Sequence, residues 1–211
     1  TDFLIYGNVN PKYLSEPKRE PLTVGKRVVV IGGGDTASDC LRTALRMGAE
    51  EVTCLYRRTE NEMPGSAHDR ELAAEEGAKF RFLTQPIKFI ATDEGKLKAV
   101  ECIEMELGEP DSSGRRRPVP IEGSNFSVPA NTAILALGYW PDPVIGDTTQ
   151  DLETHNWGLI KVVDKETGAT TREGVFAGGD CVTGPLLVAT AMVSGRKAAA
   201  AINQYLVGES L

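Results

Sequence analysis

The chain has 211 residues, 41% of them hydrophobic, with 22 glycines and a formal net charge of −7. That length can bury one good core and a smaller incomplete one, and the acidic balance argues against nucleic acid as a partner. No apolar run approaches the roughly 18 residues of a membrane span, and no charged-then-apolar start suggests export. Cys40, Cys54, Cys102 and Cys181 are dispersed without a Cys-x-x-Cys pair. Neither a metal site, an iron–sulfur centre nor a redox disulfide is therefore indicated, and buried thiols in a reducing cytoplasm are expected.

Thr1-Asp2-Phe3-Leu4-Ile5-Tyr6 reads as the end of an element, and Pro11, Pro17 and Pro21 carry the chain to residue 23 as an extended linker. Four β-branched residues, Val28 to Ile31, then form a run typical of a strand buried on both faces. Gly32-Gly33-Gly34-Asp35-Thr36-Ala37 follows, and helical spacing continues through Ala37, Leu41, Ala44 and Leu45. Strand, glycine turn and helix in that order fit a dinucleotide pyrophosphate site. Gly32 permits the tight turn, Gly34 lets the backbone approach a phosphate, and Ala37 lets helix pack closely on strand. The helix start supplies free amides and positive dipole, so Gly32, Gly33, Gly34, Asp35, Thr36 and Ala37 are the first candidate cofactor residues.

The next strand, Glu51 to Tyr56, ends in Arg57-Arg58, where an NAD site would place a carboxylate for the ribose 2′-hydroxyl. Guanidinium groups pair bidentately with phosphate, which favours NADPH over NADH, and Tyr56 with one arginine suits an adenine sandwich. The alternative is that both arginines only solvate a strand end. Which of the two would read the 2′-phosphate is open. Glu62-Met63-Pro64 lies in the loop beyond; the Met-Pro pair stiffens that loop, with a nucleotide contact as the alternative.

A helix is expected over 67–76, strands over 79–83 and 87–91, and an antiparallel strand over 98–107. Asp111-Ser112-Ser113-Gly114 is a turn, and Arg115-Arg116-Arg117 reads as a solvated hairpin tip. Thr132 to Leu137 returns as a buried strand, and Gly138-Tyr139-Trp140-Pro141 carries the chain onward. Val175 to Gly179 reads as a small-residue strand, and Leu186 to Tyr205 as an alanine-rich helix. His68 and His155 stand alone, without a nucleophile or ligand partner, so no catalytic side chain is assigned.

These segments together resemble the NADPH-dependent glutamate synthase small (beta) subunits and their flavin oxidoreductase relatives, including the amino-terminal half of dihydropyrimidine dehydrogenase. The resemblance rests on Gly32 to Cys40, Tyr56-Arg57-Arg58, Glu62-Met63-Pro64-Gly65, Ala133 to Asp142, Gly178-Gly179-Asp180, Ala189-Thr190-Ala191 and Gly195-Arg196. It implies an FAD domain split by an inserted NADPH domain. On that pattern Gly138 joins the two, and Gly179 with Asp180 would hold the flavin ribityl chain. The amides around Ala189, Thr190 and Ala191 would face the flavin pyrimidine edge.

The expected fold class is α/β: a Rossmann-like NAD(P)-binding domain, with a central parallel sheet and an antiparallel β insertion, plus a partial FAD-binding domain. Residues 1–23 are expected as linker or flavin-domain segment, 24–137 as the NADPH domain and 138–211 as the C-terminal part of the FAD domain. No first flavin strand with its own glycine turn precedes Val28, so the isolated chain is expected to bind FAD weakly or not at all. The implied reaction passes hydride from NADPH to FAD, serving a glutamate synthase large subunit or another electron-accepting subunit in the cytoplasm. A ferredoxin- or dihydropyrimidine dehydrogenase-like acceptor is the alternative, and a non-catalytic NADPH-binding module is a third reading.

Overall fold

The computed structural model describes residues 1–14, 22–110, 114 and 116–208. It divides into two compact units, Thr1–Gly138 and Tyr139–Leu211. Among the described residues the architecture is mixed α/β, with one parallel and one antiparallel sheet, both in the first unit.

The parallel sheet is built from β1 (Arg27–Ile31), β2 (Glu51–Leu55), β3 (Lys79–Arg81) and β8 (Thr132–Leu135), in the order β3-β2-β1-β8. β1 is flanked on both sides, and its side chains alternate between two cores. Val28 and Val30 pack with Ala37, Cys40, Leu41 and Ala44 of α2 (Asp35–Arg46), whereas Val29 and Ile31 pack with Leu55, Val100, Cys102 and Ala130. A run of four β-branched residues is what burial of both faces requires. The antiparallel layer over the second face comprises β4 (Thr84–Ala91), β5 (Leu97–Pro110), β6 (Arg116–Pro120) and β7 (Phe126–Pro129).

α2 starts at Gly34 as N-cap, with Asp35 in its first turn and Arg46 in its last, both favourable to the helix dipole. Gly48 ends it: φ is +94°, its N–H donates to Leu45 O and the Ala49 N–H to Ala44 O, the paired bonds of a Schellman cap. The expected helix over 67–76 forms as α3 (Ala67–Glu75), and the long antiparallel strand forms as β5. The strand expected over 79–83 stops at Arg81 because Leu83 adopts φ +50°. That left-handed residue redirects the chain from the parallel sheet into β4, which therefore begins at Thr84 rather than Ile87.

Other expectations need correction. Thr1–Tyr6, expected as the end of an element of unspecified type, contributes most of the helix α1 (Asp2–Asn8), whose Phe3 and Leu4 pack against the α2 core and whose Asn8 side chain donates to Thr43 Oγ1 at 3.4 Å. Thr132–Leu137 is buried on one face only, since Ile134 and Ala136 are buried while Leu135 and Leu137 are exposed. The predicted linker positions Pro17 and Pro21, and Asp111 to Ser113 of the predicted turn, lie outside the described residues.

Among the described residues the second unit holds three helices, α4 (Val144–Thr148), α5 (Asp180–Thr183) and α6 (Val188–Val207), with isolated bridges at Thr154–Ile160, Val162–Thr170 and Ala169–Phe176. The small-residue strand expected over 175–179 is reduced to that last bridge. Its extended backbone pairs with 168–170, and Gly179 turns it into α5 at φ +77°.

Candidate functional site

The four parallel strands end at one edge of the sheet, and the predicted cofactor residues of the first unit collect there. Gly32 (φ +143°) makes the turn out of β1, and a Cβ there would stand 2.2 Å from the Ala136 carbonyl oxygen. Gly33 has no more room, because a Cβ would meet the Tyr56 ring at 2.6 Å. Gly34 differs from both: nothing lies within 4 Å of its Cβ position. The turn is thus clamped from two sides and open on the third, at the first residue of a helix start. Among the described residues, the amides of Gly34, Asp35 and Thr36 have no hydrogen-bond partner, while those of Ala37 and Ser38 return to Gly34 O at 2.9 and 3.4 Å. Three free amides at a helix N-terminus beside an open glycine form an anion cradle. Ala37 is buried, as close helix–strand packing requires, and Thr36 is exposed.

Beneath the turn, the Cys54 thiol donates to Gly32 O at 3.2 Å. Burial pushes that thiol up to about 12 and the Cys40 thiol up to about 11, so both remain protonated and neutral under the cradle.

A loop after β2 lies over the same turn. Gly65 N–H donates to Gly33 O at 3.0 Å, and a Cβ on Gly65 would press on Gly34 C at 2.9 Å and Asp35 N at 3.0 Å. The Asp35 carboxylate accepts the Ser66 N–H at 2.7 Å. Arg70 Nη1 donates to Gly65 O at 2.7 Å. Asp35 therefore serves the loop, and its charge is directed at an amide rather than into the cradle. Met63 is buried in the α2 core, in keeping with the structural role expected for it. The loop begins with a reciprocal cap in which Glu62 accepts from the Thr59 amide and hydroxyl. The Thr59 hydroxyl and then its amide hold the Glu62 carboxyl below its usual range.

The residues at the end of β2 separate into different roles. Tyr56 is only 8% exposed; its ring covers Gly33 and its hydroxyl donates to Glu62 O at 2.7 Å. An adenine sandwich on Tyr56 is excluded by that packing. Arg58 is 7% exposed, and its Nε donates to the Arg116 carbonyl at 2.9 Å. Sequence reasoning missed this clamp, because Arg116 belongs to an insertion far along the chain. Arg57 is exposed, with no partner among the described residues. Arg116 itself starts β6 instead of occupying a solvated tip.

In the second unit, Gly178 and Gly179 form a tight approach to α6. A Cβ on Gly178 would meet Ser194 C and O at 3.1 Å, and Gly179 N–H donates to Ser194 Oγ at 2.7 Å. Asp180 follows as the exposed first residue of α5. At the start of α6, the amides of Thr190 and Ala191 both return to Leu187 O, at 3.0 and 3.2 Å. Among the described residues the amides free for a ligand are those of Val188 and Ala189, so of the three expected positions Ala189 keeps a free amide while those of Thr190 and Ala191 are taken. Gly138, at φ +81°, closes the first unit. Among the described residues, no group of three or more His, Cys, Asp or Glu side chains is placed to hold a metal ion, and no helix is long and apolar enough to cross a membrane.

The model of the pyridine nucleotide-disulphide oxidoreductase family matches residues 9–195. The small chain of NADPH glutamate synthase from Escherichia coli (strain K12) is 42% identical over 208 residues, covering 97% of this chain and 44% of that protein. The beta subunit of an NADPH-Fe(3+) oxidoreductase from Geobacter sulfurreducens (strain DL-1 / KN400) is 40% identical over 205 residues, covering 88% of this chain and 30% of the relative. The chain thus spans less than half the length of these curated relatives. Among solved structures, the thioredoxin reductase of T. acidophilum superposes with a TM-score of 0.68 at 20% identity, over 88% of this chain and 54% of that one.

Proposed function

The chain belongs to the pyridine nucleotide-disulphide oxidoreductase family, and from that premise we propose that it is the nucleotide-reading part of an NADPH-dependent flavin oxidoreductase. The observation that carries the reading is the open cradle at Gly34, with the exposed Arg57 at the end of the neighbouring strand. NADPH supplies a hydride donor and FAD its acceptor, so the protein has to bind, align and exclude rather than act as acid or base. Residues 24–137 form the NADPH domain in this proposal, and 138–211 the C-terminal part of the FAD-binding domain.

The residues fit both groups. The Gly34, Asp35 and Thr36 amides would hold the pyrophosphate, Gly32 and Gly33 give the turn its shape, and Ala37 seats the helix beneath it. Arg57 would take the 2′-phosphate, because its guanidinium is unengaged whereas that of Arg58 is committed to the Arg116 carbonyl. In the second unit, the exposed Asp180 carboxylate beside Gly179 suits the flavin ribityl hydroxyls. The free amides of Val188 and Ala189 suit the flavin's electron-rich edge, with Thr190 and Ala191 completing that helix turn.

The electron acceptor in this reading is a glutamate synthase large subunit, in glutamate biosynthesis in the cytoplasm, as the 42% identical small chain supports. A second reading, a different acceptor served by the same input module, is supported by the relative named for Fe(3+). Calorimetric titration of the chain with NADPH and NADH tests the nucleotide assignment. Arg57→Ala is expected to weaken NADPH by about 1.5–3 kcal/mol and leave NADH nearly unchanged. Equal losses for the two nucleotides would remove Arg57 from the phosphate site.

A further inference from the structure

The antiparallel insertion reaches the same sheet edge as the glycine turn. Beyond Leu83, β5 pairs with β6 from Met105–Pro120 to Pro110–Arg116, and two hydrogen bonds fasten this hairpin to the nucleotide edge. Met105 N–H donates to Leu83 O at 2.8 Å, and the buried Arg58 donates to Arg116 O at 2.9 Å. Arg116 is thereby held one hydrogen bond from Arg58, the immediate neighbour of Arg57.

The Arg116 guanidinium folds onto its own hairpin: Nε donates to Gly108 O at 3.0 Å and Nη2 donates to Leu107 O. An arginine has five N–H donors, so these bonds orient the group without exhausting it. Its charge also reaches the loop after Arg58, where it adds to the larger effect of Thr59 in keeping the Glu62 carboxyl low. The Glu62 carboxylate is occupied by the Thr59 amide and hydroxyl. Among the described residues, neither Arg57 nor Arg116 makes an ion pair. A phosphomonoester carries about −1.5 to −2 charges at neutral pH, more than one guanidinium neutralises.

We propose that Arg116 is a second specificity-determining residue for the adenosine 2′-phosphate, brought from the insertion hairpin to the side of Arg57 by the Arg58 clamp. The proposal rests on the nucleotide reading above. On this arrangement NADPH is distinguished from NADH by residues of two sheets, and Arg58 is a positioning residue that touches no phosphate.

The test is titration of NADPH and NADH into the wild-type chain and into Arg116→Gln, Arg116→Lys and Arg117→Gln variants. Arg116→Gln is expected to raise the Kd for NADPH about tenfold while the Kd for NADH moves less than about twofold; Arg116→Lys recovers part of the loss and Arg117→Gln changes neither. The ratio of the two affinities is an internal control, since both nucleotides use the same glycine turn. A proportional loss of both in Arg116→Gln makes the side chain only a brace of the hairpin and overturns the proposal. So does an unchanged NADPH affinity, or a selective loss that appears in Arg117→Gln instead. A wild-type chain with no preference for NADPH overturns the nucleotide reading itself, an outcome seen before any substitution.

Discussion

The two compact units differ in how they use apolar residues. In Thr1–Gly138 the sheet is covered on both faces, and Val30, Ala44, Val52, Cys54, Val100 and Cys102 are completely buried. In Tyr139–Leu211 the buried apolar residues are few and scattered, Leu152, Leu159, Ile160, Ala198 and Ala201, while Leu187, Val188 and Leu206 are each about three-quarters exposed. Burial of apolar area is the main stabilising term in folding. Stability therefore resides in the first unit, and the second presents apolar surface that its own residues leave uncovered.

Several substitutions would break or sharpen this contrast. Leu41→Ala removes a fully buried side chain and should cost about 2–5 kcal/mol in denaturant unfolding, whereas Val188→Ala should stay within about 0.5 kcal/mol; similar costs would mean that the two units share their stability. Glycines come next. Gly32→Ala puts a methyl group on the Ala136 carbonyl at positive φ, with about 1–3 kcal/mol of strain and loss of nucleotide binding, while Gly34→Ala should leave stability unchanged and weaken only the nucleotide.

Alkaline pH provides a third comparison. Cys54 is pushed up to about 12, Cys40 and Cys102 up to about 11, all by burial in the first unit. Because these folded-state values are raised, the stabilisation is fully present below the ordinary thiol value of about 8.5 and is lost above it, by about 1.4 kcal/mol per pH unit for each thiol, until the folded groups ionise. Unfolding curves between pH 7 and 10 should therefore weaken the first unit, and a thiol reagent on the folded chain at neutral pH should label the exposed Cys181 first. The smallest effect has the opposite sign. Gly195 sits within α6 with open space at its Cβ position, so Gly195→Ala should stabilise the second unit by about 0.5–1 kcal/mol; a loss would reveal a contact on that face.

Much of the first unit was legible in the sequence because its signals are local. Val28 to Ile31 announces a strand buried on both faces, Gly32 to Ala37 announces the turn, and Ala37, Leu41 and Ala44 mark the helical stripe that covers it. The division of labour at Tyr56-Arg57-Arg58 was not legible. It depends on Gly33 beneath the tyrosine ring and on an Arg116 carbonyl delivered by the insertion, neither of which leaves a periodic trace. The helical form of α1 was not legible for a similar reason: its first residues have no strong cap, and packing of Phe3 and Leu4 on α2 secures a helix that propensity alone does not demand. In the second unit, the α6 start was displaced because Leu186 and Leu187 continue the apolar run without joining the helix.

The contact between Gly32 and Ala136 also orders events in time. β1 is synthesised before β8, and the Ala136 carbonyl that closes its glycine turn directly follows β8, roughly 100 residues downstream, which synthesis at about 5–20 residues per second delivers some seconds later. Until β8 docks, β1 has one open flank and its turn has no rear wall. Nascent chains arrested before Thr132 should then hold secondary structure without retaining nucleotide, and competence should switch on within the few residues that complete β8.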